Sequence, residues 1–263
     1  MGKIMALIID MEGVLVKGSD LVPIPNATSF IDEINTMGIP YKIATNNSTL
    51  MVEEIHQKLK GNGFNLGKEA IVSPISICLS EFTSREIKNV MVLGSQSLKN
   101  ILKKNGFQTV NDKSAQAILV GKMESLDLEL LKNACEVLQE GKSILCGINN
   151  NRLVMDDDSR PYPGPGAIIH MLQFAVDYRE PIIHFGKGSE KYDNILIKEL
   201  GHNWTDVMMI SDDPYTDLEH YQSKGCIGVF VTTGKYKRSH LKHIQPHMSV
   251  DDVMEILKAM RSL

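Results

Sequence analysis

The 263-residue chain lacks several features that would have fixed its class at once. No apolar stretch reaches membrane-spanning length, so no transmembrane helix and no membrane partner are expected. Lys3 is followed by no long apolar region, and Asp10 arrives too early for a secretory signal peptide. The four cysteines, Cys78, Cys135, Cys146 and Cys226, stand far apart and form no Cys-x-x-Cys pair. Zinc-ligand spacing is thereby excluded, and buried thiols in a reducing, cytoplasmic setting are expected instead of disulfides. Strong charge of one sign is also missing. At a net charge of −4 there is no electrostatic reason to expect nucleic acid. No internal repeat and no low-complexity tract is present.

What remains is an ordinary globular composition, 43% hydrophobic and 23% charged, in a chain long enough for one large domain or two linked ones. Residues 4–9, Ile-Met-Ala-Leu-Ile-Ile, predict a short buried strand. It ends in Asp10-Met11-Glu12-Gly13-Val14, two carboxylates at spacing two beside a glycine that permits a sharp turn. A helix is predicted over 27–37, with Phe30, Ile31, Ile34 and Met37 at helical spacing and Gly38 as its stop. Strands follow at 41–44, 181–185, 207–210 and 227–231. Their tips are Thr45-Asn46-Asn47-Ser48-Thr49, Gly186-Lys187-Gly188-Ser189, Ser211-Asp212-Asp213-Pro214-Tyr215-Thr216-Asp217 and Thr232-Thr233-Gly234. Ser48 or Thr49 is expected to cap the helix that begins near Leu50.

Residues 76–179 read as a separate α/β unit, with strands at 90–93, 117–120 and 144–146 and a turn-rich loop over 149–166. The fold class that follows is α/β: a doubly wound parallel, Rossmann-like sheet from residues 1–75 and 180–263, with 76–179 inserted as a cap.

In a parallel sheet these strand tips share one edge. Together they offer acids for a divalent cation, and a lysine, a hydroxyl and an amide for phosphate oxygens. The set has no histidine base beside a serine, so triad-type acyl transfer fits poorly. Magnesium-dependent phosphoryl transfer fits the residue types best. The basic run Lys235-Tyr236-Lys237-Arg238 reads as a solvated face, not as a nucleic-acid site. Arg160 and Tyr162 in the cap loop are candidates for touching substrate.

These motifs resemble the haloacid dehalogenase superfamily of phosphohydrolases, and within it the NagD-like or p-nitrophenyl-phosphatase branch. The resemblance rests on Asp10-Met11-Glu12-Gly13-Val14, Ile43-Ala44-Thr45-Asn46-Asn47, Phe185-Gly186-Lys187, Ser211-Asp212 with Thr216-Asp217, and the turn Pro163-Gly164-Pro165-Gly166-Ala167-Ile168. It implies Asp10 as nucleophile and residue 12 as general acid and then base. Thr45 and Asn46 would hold phosphate, with Lys187 neutralising it. Magnesium would be held by Asp10, Asp212 and the backbone carbonyl of Glu12, with Asp213 or Asp217 acting through waters. The implied substrate is a small phosphorylated metabolite.

The chain departs from the pattern in places. Glu12 replaces the usual aspartate and resembles the enolase-phosphatase branch. Gly188 replaces a proline and Ser211 a glycine, and in the cap Gly121-Lys122-Met123 and Asn149-Asn150-Asn151 replace the usual motifs. The alternative reading is a catalytically degenerate phosphate-ligand binding protein of the same fold. A receiver domain, which also phosphorylates an aspartate, is disfavoured by the cap.

Overall fold

The structure, a computed structural model, describes residues 4–123, 125–155 and 160–261. The chain opens with β1 (Ala6–Asp10), a small hairpin of β2 (Val16–Lys17) and β3 (Val22–Pro23), α1 (Ala27–Met37), β4 (Tyr41–Ala44), α2 (Val52–Gly61) and β5 (Ile71–Val72). It continues through α3 (Pro74–Ser84), β6 (Asn89–Leu93), α4 (Gln96–Lys104), β7 (Gln108–Thr109), β8 (Ala117–Val120), α5 (Leu128–Gln139) and β9 (Ile144–Gly147). A hairpin of β10 (Leu153–Met155) and β11 (Pro161–Pro163) precedes α6 (Pro165–Ala175), β12 (Ile183–His184) and α7 (Glu190–Leu200). The last elements are β13 (Val207–Ser211), α8 (Glu219–Ser223), β14 (Ile227–Val231), β15 (Met248–Val250) and α9 (Met254–Arg261).

The first sheet has the order β15-β14-β13-β1-β4-β5 and is parallel throughout. β1 lies inside it, so all five residues are buried, as a near-continuous apolar run requires of a strand covered on both faces. From β1 the chain builds outward through β4 and β5, and later through β13 and β14 on the other side. β1 is therefore the topological switch point, where ligands bind in open α/β sheets. Register puts Asp10 beside Ala44, while Ile9 pairs with both Ile43 and Ile210. The loops after β1, β4 and β13 thus leave the sheet side by side.

One face of this sheet is covered by α1, α2 and α9. Phe30, Ile31 and Ile34 of α1 are fully buried there, and Gly38 ends that helix at φ 65°, in the left-handed region. The other face carries Tyr192, Leu196 and Tyr221, and its apolar cluster runs on into Val90, Val92 and Leu119 of a second sheet. That sheet is also parallel, in the order β12-β9-β8-β6-β7. The α/β class read from the sequence is the observed one.

Two strands differ from expectation. The segment 181–185 does not enter the first sheet. Its two-residue strand pairs with β9, Ile183 beside Cys146 and His184 beside Gly147. Phe185 meets Phe82 edge-on at 5.7 Å, and Phe82 in turn packs against Phe107 at 5.9 Å. This aromatic stack draws the segment to the second sheet. The place it was expected to fill is taken by β5 and β15, two short strands whose few residues give too little periodicity to read. The last helix, α9, begins only at Met254, because Met248–Val250 is strand and the Asp252 carboxylate accepts the Met254 N–H.

Candidate active site

Asp10 closes β1 and is 5% exposed. Its Oδ1 accepts the Met11 N–H at 2.8 Å and the Lys187 ammonium at 2.7 Å. Its Oδ2 meets only Ser211 Oγ, at 3.3 Å. That hydroxyl has one proton, and its closer acceptor is Asp217 Oδ2 at 2.6 Å. Asp10 Oδ2 is therefore the less committed oxygen. Lys187 comes from the loop after β12, on the second sheet, yet its ammonium also reaches Asp217 at 2.6 Å. Lys187 is 3% exposed, so two carboxylates face one buried cation.

Gly13 turns the chain at φ 88°, and a Cβ there would stand 2.6 Å from Asp212 Oδ2. Only glycine allows Asp212 to sit that close to the first loop. Asp212 Oδ2 accepts the Lys235 N–H at 2.6 Å, whereas its Oδ1 is buried without a hydrogen bond in the protein. Asp213 is committed to structure. Its Oδ1 accepts the N–H groups of Tyr215 and Thr216, and its Oδ2 pairs with the Lys235 ammonium at 2.8 Å.

Burial pushes Asp10 up to about 7, with Lys187 opposing and Asp212 and Glu12 adding. Burial lifts Asp212 to about 6 against Lys235, and Asp217 to about 6 against Lys187. Asp213 is lowered, because Lys235 outweighs its burial. Burial works against Lys187 and Lys235, but the facing carboxylates raise both above the ordinary lysine value. Such a site is short of positive charge. Asp212 Oδ1 and Asp217 Oδ1 are both buried and unsatisfied, a cost that a cation would remove. Among the described residues no three His, Cys, Asp or Glu side chains gather as a metal-holding group. The expected set needs only two, Asp10 and Asp212, with a main-chain carbonyl as its third member, and the all-oxygen donors suit magnesium.

The tip of β4 behaves differently from its sequence reading. Thr45 Oγ1 accepts the Asn47 N–H at 2.9 Å and donates to Glu12 Oε2 at 2.7 Å. Asn47 Nδ2 donates to Glu12 Oε1 at 3.0 Å. Glu12 is thus gripped at both oxygens. Asn47 Oδ1 accepts from the N–H groups of Thr49 and Leu50, which fixes its amide. Neither Ser48 nor Thr49 caps α2. Glu54 does so, accepting the Met51 N–H at 2.8 Å, while Ser48 Oγ accepts the Lys122 N–H. Asn46 is partly committed to structure. Its Oδ1 accepts the Lys187 N–H at 2.9 Å, and its Nδ2 donates to Asn151 Oδ1 at 2.8 Å.

Sequence reading missed Asn47 as a partner of Glu12, and it missed Lys235, which is not a solvated residue but the cation beside Asp212 and Asp213. Its place directly after the Thr232-Thr233-Gly234 strand tip was the available signal. Tyr192 was also missed. Its hydroxyl lies between the carbonyls of Val72 (2.7 Å) and Thr45 (3.0 Å) and steadies the β4 tip. Tyr162 sits half-buried in β11 opposite Val154, and Arg160 is exposed just before it.

Residues 7–108 match the model of haloacid dehalogenase-like hydrolases, and residues 184–256 match a second, HAD-hydrolase-like model. An acid sugar phosphatase of Staphylococcus saprophyticus is 27% identical over 258 residues, 96% of each chain. The solved p-nitrophenyl phosphatase from Archaeoglobus fulgidus superposes with a TM-score of 0.80 at 25% identity, covering 98% of this chain and 99% of that one. NagD from E. coli shares the fold at a TM-score of 0.74 and 19% identity, over 96% and 98% of the two chains. With its four strand-end motifs in order and its two sheets arranged as in these structures, the chain belongs to the haloacid dehalogenase-like hydrolases and shares the fold of the NagD and p-nitrophenyl phosphatase structures.

Proposed function

We propose that the protein is a magnesium-dependent phosphatase of small phosphorylated metabolites that works through an aspartyl-phosphate on Asp10. The observation that carries this reading is the state of Asp10. One oxygen is pinned by Lys187 and the Met11 N–H, the other is nearly uncommitted, and Asp212 stands close with an oxygen that has no partner in the protein.

Asp10 Oδ2 attacks phosphorus, and the bond to the ester oxygen breaks. Glu12 gives its proton to the departing alkoxide. It then takes a proton from the water that attacks the acyl phosphate, and the Asp10 carboxylate is restored. Lys187 offsets negative charge on Asp10 and the phosphoryl group. Thr45 and Asn46 hold phosphate oxygens at the β4 tip, Asn47 orients Glu12, and Asn46 Oδ1 also holds the Lys187 loop in place. Asp10, Asp212 and the Glu12 carbonyl would hold magnesium, which would supply positive charge to offset the negative charge of the phosphoryl group. Residues 76–179 serve as the cap that covers the site and chooses the substrate, with Arg160 and Tyr162 on its hairpin. Within the cell the expected location is the cytoplasm.

Phosphate release from p-nitrophenyl phosphate and a panel of phosphorylated metabolites, with magnesium and after chelation, tests this reading. Magnesium-dependent release is expected. Tight binding of phosphorylated ligands with no release from any of them would favour the degenerate binding protein.

A further inference from the structure

The seam between the two sheets holds a cation that the mechanism does not use. Arg152 lies one residue beyond Asn151, whose side chain accepts the Asn46 amide. Its backbone is tightly placed. The Arg152 carbonyl accepts the Gly164 N–H at 2.9 Å, and the Asn151 carbonyl accepts the Gly166 N–H at 3.0 Å. A Cβ on Gly164 or Gly166 would collide with this turn, so the glycines let the start of α6 close against it.

From there the Arg152 side chain crosses to the first sheet and lies over the Tyr215 ring, 5.0 Å from its centre. Tyr215 is a fixed platform. Its N–H donates to Asp213 Oδ1, its hydroxyl donates to the His240 carbonyl at 2.6 Å, and its ring meets Tyr236 edge-on at 5.3 Å. Asn151 and Arg152 together therefore bridge the β4 tip and the β13 tip, the two loops that flank Asp10.

Stacking occupies the face of a guanidinium and leaves its in-plane N–H groups available. Arg152 is exposed, and among the described residues no carboxylate forms an ion pair with it. The planar fork suits a carboxylate or phosphate, which it can grip with two hydrogen bonds. The core beside it is rich in carboxylates, so a substrate with a second negative charge needs such a cation to enter.

Resting on the phosphatase reading above, we propose that Arg152, seated on Tyr215, recognises a second oxyanion on the leaving group. The preferred substrates are then phosphate monoesters that also carry a carboxylate or a second phosphate, in preference to neutral polyol or sugar phosphates.

The test is binding to the Asp10→Asn variant, which does not depend on turnover. Three probes are compared by calorimetry: ethyl phosphate, phosphoglycolate as its carboxylate counterpart, and 1,3-propanediol bisphosphate. Phosphoglycolate or the bisphosphate is expected to bind about 10- to 100-fold more tightly than ethyl phosphate, the range of a charge-assisted contact. Which of the two binds better identifies the oxyanion. Adding Arg152→Gln should bring that ratio close to one, and Arg152→Lys should keep part of it. Equal affinity for charged and neutral probes in the Asp10→Asn protein, or a ratio that survives Arg152→Gln, overturns the proposal. A separate assay of the unaltered enzyme on p-nitrophenyl phosphate decides the phosphatase reading. Failure of that assay would leave the binding ratio, and with it the role of Arg152 in binding, unaffected.

Discussion

At the scale of single residues, the proposed mechanism turns on Glu12. Glutamate carries one methylene more than the usual aspartate, and here that length lets both its oxygens reach donors on the β4 tip, Thr45 Oγ1 and Asn47 Nδ2. In the proposed mechanism substrate phosphate would compete with Glu12 for Thr45 Oγ1 and so free Glu12 to turn toward the leaving oxygen. Glu12→Gln is expected to lose about 10²–10⁴ in kcat on an alkyl phosphate, and less in the leaving-group step on p-nitrophenyl phosphate. Asn47→Ala should show the same bias toward alkyl phosphates at a smaller size, about tenfold, as a positioning residue does. Because Asn47 acts through Glu12, the double variant should be no worse than Glu12→Gln alone. Additive losses in kcat would contradict the coupling. Asp10, Lys187 and Asp212 were legible from their strand-end positions. The grip on Glu12 was not, because it depends on which way the Asn47 amide turns, and that is set by the N–H groups of Thr49 and Leu50.

At the scale of elements, β1 and β13 bring acids to one edge, and this lowers stability. Burial raises Asp10 to about 7 and Asp212 and Asp217 to about 6, from 3.8. Between about pH 5 and 7, above the range where the lowered carboxylates Glu81, Asp193 and Asp213 titrate, the folded protein binds more protons than the unfolded chain, so stability falls as pH rises through that window. His184 is lowered by burial and acts in the opposite sense, since the unfolded chain takes up its proton first as pH falls. Three carboxylates outweigh one imidazole. Lys187 and Lys235 stay protonated on both sides of the transition and add no slope here. Thermal unfolding in chelator should therefore show Tm falling from pH 5 to 7.5, and magnesium should reduce or reverse the fall by binding the ionised folded state. A Tm that rises across this range without metal and ignores magnesium would count against the cluster. The strands of these tips were readable because each is a continuous apolar run. β5 and β15 were not, since two or three residues carry no period, and β12 was read as a strand but given to the wrong sheet.

At the scale of the molecule, the inserted unit is not a loosely tethered lid. A single apolar cluster joins Ile8 and Ala44 of the first sheet to Val90, Leu119 and Cys146 of the second, with Phe82 and Phe185 between them. Polar contacts repeat the connection at the site, where Asn149 Nδ2 donates to the Asn46 carbonyl at 2.8 Å and Asn46 donates to Asn151. Calorimetry should accordingly give one unfolding transition, with calorimetric and van't Hoff enthalpies in agreement. Two resolved transitions would show that the sheets unfold independently. The α/β class and four strands of the first sheet followed from the order of apolar strands and helices. The route of Lys187 did not, because its strand is chosen by aromatic packing between segments about a hundred residues apart, from Phe82 to Phe185.

The central claim, covalent catalysis by Asp10, is tested most directly by trapping. Glu12→Gln slows the attack of water while still permitting attack on p-nitrophenyl phosphate, whose phenolate leaves readily, so an acyl phosphate should accumulate. Borohydride reduces an acyl phosphate to an alcohol. Peptide mass mapping after reduction during turnover is expected to find homoserine at position 10 and nowhere else. Release of p-nitrophenol with Asp10 unmodified would contradict the aspartyl-phosphate mechanism.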